Sequence, residues 1–310
     1  MIIDADAHFT PHLIPDTDNP QANAWIQEYM TRKTGRFSDV DQRKEEMRML
    51  GVDRQLLNPM GKSLKLFYNM DRSIAPYIMR KWNDTISEIV EANDCFDMNI
   101  WLALQDVDAS LAEIDRMLKK KFLGIHVSES PHWGFIKEFD PIFKKISENQ
   151  IPWYIHLTFV NDNVDYDQTV PEEFANLKRK WIRNFWMFSL ATLILGGTLD
   201  RYPDLKIVVV ERDFDWIDTF RKDFVEEGFA DPLPYFKRNF WFTIEPERMD
   251  FVETAEKLGY DRLLFATDWP HDDDAGGANS RQDVATVESL NLRSSEKQKI
   301  LQDNYLSLMR

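Results

Sequence analysis

Cysteine is nearly absent from this chain. Cys95 is the only one in 310 residues, which excludes an internal disulfide and any thiolate-rich metal site and points to a reducing compartment. Basic residues are in deficit: Lys and Arg number 38 against 53 Asp and Glu, a formal charge of −15. The clustered cations that phosphate backbones reward are therefore missing, and nucleic acid is not an expected partner. No apolar run approaches the roughly 20 residues a membrane span needs, and no basic segment with a cleavable apolar stretch opens the chain. A cytoplasmic protein without membrane contact is expected. Linkers, repeats and low-complexity tracts are missing too, so one barrel-sized domain over residues 1–310 is the expectation. Aromatics, by contrast, are plentiful. Ten Trp and 21 Phe are enough to fill a large core and still line a pocket or an oligomer interface.

What is present alternates. Short apolar runs predict strands at Ile2–His8, Val52–Leu57, Met98–Ala103, Phe122–Val127, Ile151–His156, Leu205–Glu211, Phe240–Ile244 and Arg262–Thr267. Between them, 3.6-residue apolar spacing and capping signals predict helices, among them Ala24–Thr34, Asp41–Leu50 stopped by Gly51, Asp71–Asn93, and Asp108–Lys119 capped by Asp108. Continuous apolar strands each followed by a helix imply a parallel sheet covered on its outer face, and eight of them imply an α/β fold of the (β/α)8 TIM-barrel type. One segment breaks the rhythm. After strand five comes a polar stretch and then a long helix around Trp181–Leu195, apolar on several faces, closed by Gly196-Gly197. This helical insertion is expected to serve a homodimer interface or plain core packing.

In such a barrel the carboxyl ends of the strands share one face, where chemistry sits. The strand-terminal residues are Asp6 and His8, Asn58, Leu104-Gln105, His126, His156, Glu211, Glu245 and Asp268, nearly all competent to bind metal or handle protons. Asp6 and His8, two apart on one strand, project from one face. His271 follows Asp268 in the next turn. Imidazoles and carboxylates without thiolate suit Zn²⁺, Mn²⁺ or Fe²⁺ in a site that keeps a position open for water or substrate.

These residues carry a resemblance. Asp-x-His on strand one, His156 on strand five and Thr267-Asp268-Trp269-Pro270-His271 on strand eight resemble the amidohydrolase superfamily. The runs Tyr202–Glu211 and Arg262–His271 are similar to the branch containing aminocarboxymuconate-semialdehyde decarboxylase. The resemblance spans Ile3 to the last helix and implies one divalent metal, Zn²⁺ first and Mn²⁺ second, held by Asp6, His8, His156 and Asp268. It departs from well-studied members at two places. Asp6 stands where they usually carry His or Glu, and Glu211 stands where most have a strand-six His. Glu211 is therefore expected as fifth ligand or proton relay.

The resemblance implies a metal-dependent, non-oxidative decarboxylase of a small aromatic or unsaturated carboxylic acid. Its alternatives are a metal-dependent hydrolase of an amide, lactone or related bond, a hydratase, and a non-catalytic binding barrel. Asp268, Glu211 and His271 are the expected catalytic groups. Arg212 is expected either to grip a substrate carboxylate or to pair with Asp213 or Asp215, and His126 either to line the pocket or to bond a loop. His12 and His132 read as surface or gate residues, Glu245 as a tie for its own loop, and Asp272-Asp273-Asp274 as a solvated loop. The expected partners are a small-molecule substrate and a second copy of the chain.

Overall fold

The computed structural model describes residues 1–31, 35–59, 67, 70–128, 133–156, 170–181, 184–212, 214–246, 251–271 and 283–309. Among these, eight parallel strands follow one another in chain order: β1 (Ile3–His8), β2 (Arg54–Asn58), β3 (Phe96–Met98), β4 (Ile125–Ser128), β5 (Trp153–His156), β6 (Ile207–Val209), β7 (Phe240–Ile244) and β8 (Leu263–Phe265). They form a three-stranded sheet, β1-β2-β3, and a five-stranded sheet, β4 to β8. Single bridges join the two sheets at both edges, Ala7 to Trp269 and Ile100 to Ile125. The result is the expected α/β barrel, with its ladder interrupted at two seams.

The helices are α1 (Pro20–Tyr29), α2 (Val40–Leu50), α3 (Ala75–Glu91), α4 (Val107–Met117), α5 (Asp140–Glu148), α6 (Ala175–Lys180), α7 (Phe185–Leu195), α8 (Thr198–Arg201), α9 (Trp216–Glu226), α10 (Leu233–Asn239), α11 (Val252–Leu258), α12 (Asp283–Ser289), α13 (Ser294–Gln298) and α14 (Asn304–Leu308). A π turn at Lys299–Asp303 joins the last two. No described helix is long and apolar enough to cross a membrane. Inside the barrel, Ile3, Leu56, Tyr154, Val208, Trp241 and Leu264 form a compact apolar plug with Tyr305 and Leu308 of α14. Asp97 binds that plug to the wall. It accepts from the Tyr305 hydroxyl at 2.9 Å and from both approaches of Arg54 Nη1 at 3.1 Å.

Several boundaries differ from expectation for identifiable reasons. Helix α4 is capped by Asp106, whose carboxylate accepts from the Ala109 amide at 3.1 Å, and Asp108 falls inside its first turn. Strand β3 ends five residues earlier than predicted because Asn83 of α3 captures the next backbone: Trp101 N–H donates to Asn83 Oδ1 at 2.8 Å, and Asn83 Nδ2 donates to Trp101 O at 3.0 Å. Trp101 then stacks flat on Trp82, centroids 4.0 Å apart. Helix α10 was not anticipated. Of the expected helix around Trp181–Leu195, Phe185–Leu195 forms α7, while α6 precedes it; residues 182–183 lie outside the described set, as do 213, 247–250 and 272–282.

The apolar insertion is enclosed by its own chain. Met187 to Leu193 of α7 are all 1 % exposed or less where apolar, and fully buried where polar. Gly134 and Gly196 make this possible: a Cβ at Gly134 would lie 1.6 Å from the Thr192 carbonyl oxygen, so the loop after β4 rests directly on the helix backbone. The aromatic density of α7 therefore carries no argument for a homodimer.

Asn83 supplies the prediction here. Replacing it with alanine strands the Trp101 amide and carbonyl in the core, which costs about 2–5 kcal/mol at the usual penalty per unsatisfied buried group. Urea unfolding of Asn83→Ala measures it, and a loss under about 0.5 kcal/mol would show that the backbone at Trp101 does not depend on this side chain.

Candidate metal centre

Parallel pairing places the strand ends side by side. His156 is in register with Ser128, and His8 with Asn58. One ligand atom from each of Asp6, His8, His156 and Glu211 lies within 4.8 Å of the others, and the same holds for His8, Asp268 and His271. His8 belongs to both groups. Its Nε2 is 2.7 Å from Glu211 Oε1 and 2.9 Å from Asp268 Oδ1, while His156 Nε2 is 2.7 Å from the same Glu211 oxygen. Nδ1 of His8 faces the Pro59 carbonyl at 3.1 Å. A carbonyl only accepts, so Nδ1 carries a proton and Nε2 is the nitrogen left to ligate a metal.

The carboxylates are braced from behind. Asn99 Nδ2 donates to Asn58 Oδ1 at 2.9 Å, and Asn58 Nδ2 donates to Asp6 Oδ1 at 2.6 Å. The other oxygen of Asp6 is buried without a hydrogen-bond partner. Glu211 and Asp268 both adopt left-handed backbone, φ 56° and 53°, a conformation that costs a non-glycine residue about 1–3 kcal/mol and persists only where surroundings impose it. At Glu211 the Thr243 hydroxyl accepts from the backbone N–H at 3.0 Å. At Asp268 the N–H donates to Asp6 O at 3.1 Å and the carbonyl accepts from His271 N–H at 3.0 Å. The strain turns each carboxylate inward from a strand that has already ended.

Charge is shared in this buried volume. Burial pushes the Asp268 carboxyl up to about 7, helped by the neighbouring charge of Glu211 and opposed by His8. Asp6 is raised by burial as well. Burial disfavours the imidazolium of His8, but its hydrogen bonds to Asp268 and Glu211 outweigh that and hold it well above the ordinary histidine range. His156 is raised the same way by Glu211. Burial alone would raise Glu211, yet His156 and His8 hold it well below the usual carboxylate range. Two imidazoles and two carboxylates, Asp6 with an orphaned oxygen, fit a single divalent cation. Ligand distances of about 2.0–2.2 Å from a common centre put ligand atoms roughly 3–4.4 Å apart, within the observed spread.

The sequence-derived residues separate into those gathered here and those that stand off. Asp6, His8, His156, Glu211, Asp268 and His271 fall into two groups that share His8, and Glu211 rather than Asp268 joins Asp6, His8 and His156. His126 is fully buried beside His156, ring centroids 5.3 Å apart, with neither nitrogen hydrogen-bonded; burial keeps it well below the ordinary histidine range. Arg212 lies 4.6 Å over the Trp186 ring. It lines a cavity of about 320 Å³ with Asn184, Trp186, Met187, Asp215, Trp216 and Thr219, and none of the gathered residues lines that cavity. Asn99 was missed, because strand three was read as ending further on. His132 and Asp272-Asp273-Asp274 lie outside the described residues.

A family model described as Amidohydrolase matches residues 3–304. The gamma-resorcylate decarboxylase of Rhizobium radiobacter is 23% identical over 300 residues, covering 86% of each chain. Two solved structures cover 99% of this chain. The 5-carboxyvanillate decarboxylase of Sphingomonas paucimobilis aligns over 98% of its own chain with TM-score 0.73 and 21% identity. The dihydroxybenzoic acid decarboxylase of Polaromonas sp. JS666, solved with manganese and the inhibitor 2-nitroresorcinol, aligns over 96% with TM-score 0.70 and 19% identity. At these identities the structural likeness shows the fold.

Cation binding at this cluster must displace protons, since His8, His156 and Asp268 all titrate above their ordinary values. Protons compete below those values and leave as pH rises, so affinity for Mn²⁺ or Zn²⁺ should climb at least tenfold between about pH 6 and pH 8, with proton release. Calorimetry in buffers of different ionisation enthalpy reads both quantities. Binding that is independent of pH and releases no proton would show that the ion sits elsewhere.

Proposed function

The chain belongs to the amidohydrolase family, and on that premise we propose that it is a metal-dependent, non-oxidative decarboxylase of a small aromatic or unsaturated carboxylic acid. The observation that carries this reading is the buried Asp268 carboxyl, 2.9 Å from His8 and pushed up to about 7. In the metal-free cluster such a group is partly protonated near neutrality, the mark of a carboxyl able to take up and return a proton. Relatives with decarboxylase activity in their names support the same reading. Asp6, His8, His156 and Asp268 would hold the ion, with Glu211 as a further ligand or relay. Oxygen donors outnumber imidazoles, which favours Mn²⁺, and manganese occupies the Polaromonas relative; Zn²⁺ is the alternative, and metal analysis of the purified protein decides between them. When bound, the ion supplies Lewis-acid neutralisation of the substrate carboxylate or a neighbouring oxygen.

The chain's own groups do the rest. Asp268 gives its proton to the carbon bearing the carboxylate, the electron pair of the broken carbon–carboxyl bond remains on that carbon, and CO₂ leaves. His271, whose ring centroid is 4.9 Å from that of His8, orients Asp268. His126 lines the inner wall beside His156. Arg212, over Trp186 in a cavity that none of these residues lines, is given no part in the chemistry. A hydrolase is the second reading, because a carboxyl near 7 accepts a proton from water as readily as it donates one.

Release of CO₂ from a panel of hydroxybenzoates and muconates by the metal-loaded protein is the expected result, with Asp268→Asn lowering kcat on the order of 10²-fold or more. Amide or lactone cleavage without CO₂ would replace this reading with the second one. Near-wild-type turnover by a metal-loaded Asp268→Asn would overturn both.

A further inference from the structure

Helix α2 turns two charged residues inward. Along it Arg43, Glu46, Met47 and Leu50 form the buried stripe, where an amphipathic helix would carry apolar side chains throughout. Arg43 is fully buried. Its Nη2 donates to the His8 carbonyl at 2.6 Å and to the Arg36 carbonyl at 3.2 Å, and its Nη1 donates to the Trp269 carbonyl at 3.2 Å and to Gln55 Oε1 at 3.4 Å. The same Trp269 carbonyl accepts from the His8 N–H at 2.7 Å. Glu46, one turn along, accepts from Trp269 Nε1 at 2.7 Å.

We infer that Arg43 is the positioning residue of the metal centre: its guanidinium ties the backbone of His8 to that of Trp269 and so sets the His8 imidazole against the Asp268 carboxylate. Three observations converge on this. His8 is the residue common to both ligand groups, and Trp269 directly follows the left-handed turn of Asp268. The two carbonyls belong to opposite ends of the chain, 261 residues apart, and among the described hydrogen bonds only Arg43 reaches both with one side chain. A well-packed apolar side chain would serve stability as well as a buried cation does. The charge instead goes to carbonyls of the site. Arg43 keeps it near neutrality even though burial lowers its value to about 10. A planar fork spans two acceptors at once, which the point charge of a lysine cannot.

The inference rests on the metal reading, and the test separates the two. Full-length wild-type protein, Arg43→Lys and Arg43→Gln are compared by competition of Mn²⁺ with a chelator and by the melting temperature of the metal-free protein. Arg43→Lys retains charge and stem; Arg43→Gln retains one donor and guards against a lysine variant that fails to fold. The expected result is a loss of Mn²⁺ affinity of at least tenfold in the folded variants, the usual effect of removing a group that orients a ligand, with kcat falling more than KM changes. Wild-type affinity in a variant whose melting temperature has dropped would overturn the inference, leaving Arg43 as structural support alone. Failure of wild-type protein to bind any divalent ion would overturn the metal reading itself, and this inference with it.

Discussion

The seam between β1 and β8 is the constraint from which the site follows. These strands come from opposite ends of the chain and share only one bridge, so side chains complete what the ladder leaves undone. Asp4 is the principal one. Fully buried, it accepts from the Thr267 N–H at 3.1 Å, the Thr267 hydroxyl at 2.6 Å, Gln55 Nε2 at 2.8 Å and the Asp6 N–H at 3.1 Å. Burial still raises its carboxyl to about 6, so desolvation outweighs those four bonds. In exchange, Asp6 and Asp268 begin from backbones locked to one another. The ligand geometry at the top of the barrel is thus inherited from hydrogen bonds made one residue pair below it.

Much of this was legible in the residues. A strand that ends in a carboxylate or imidazole announces itself, because apolar runs mark the strand and the polar terminus marks the face where strands converge. Asp6, His8, His156, Glu211 and Asp268 were found that way. Asn99 was not, and the reason is physical: Ile100 to Ala103 continue an apolar run, and nothing local reveals that Asn83 of a helix will take over the Trp101 backbone. Asp4 and Arg43 were invisible for a related reason. A charged residue on a strand or helix reads as a solvated one until its burial is known, and burial depends on contacts distant in the chain. Helix α7 misled in the opposite direction. Its apolar faces suggested an uncovered surface, but Gly134 and Gly196 let a loop approach closely enough to cover it.

Local rules are broken where the chemistry gathers. Glu211 and Asp268 sit in a backbone region that asparagine or glycine would occupy more cheaply, and Gln150 is the other non-glycine with positive φ among the described residues. Neither carboxylate is there for its conformational preference. Glu211 turns inward immediately after Val210, whose own side chain faces the barrel interior, where an extended backbone would send the next side chain to the opposite face. Strain at those two residues is offset by bonds from Thr243, Asp6 and His271, so the cost falls on the scaffold and the benefit on the cluster.

Charge balance then ties the cluster to its proposed chemistry. Asp6, Glu211 and Asp268 in one buried volume cannot all ionise beside neutral imidazoles without a counter-charge, and in the metal-free protein protons on His8 and His156 supply it. A dication takes over that role while freeing the imidazoles to ligate. Asp268 belongs to the same exchange: burial raises its carboxyl to about 7 in the metal-free cluster, so a dication that claims it also takes its proton, and the burial responsible is the one that the β1–β8 seam imposes.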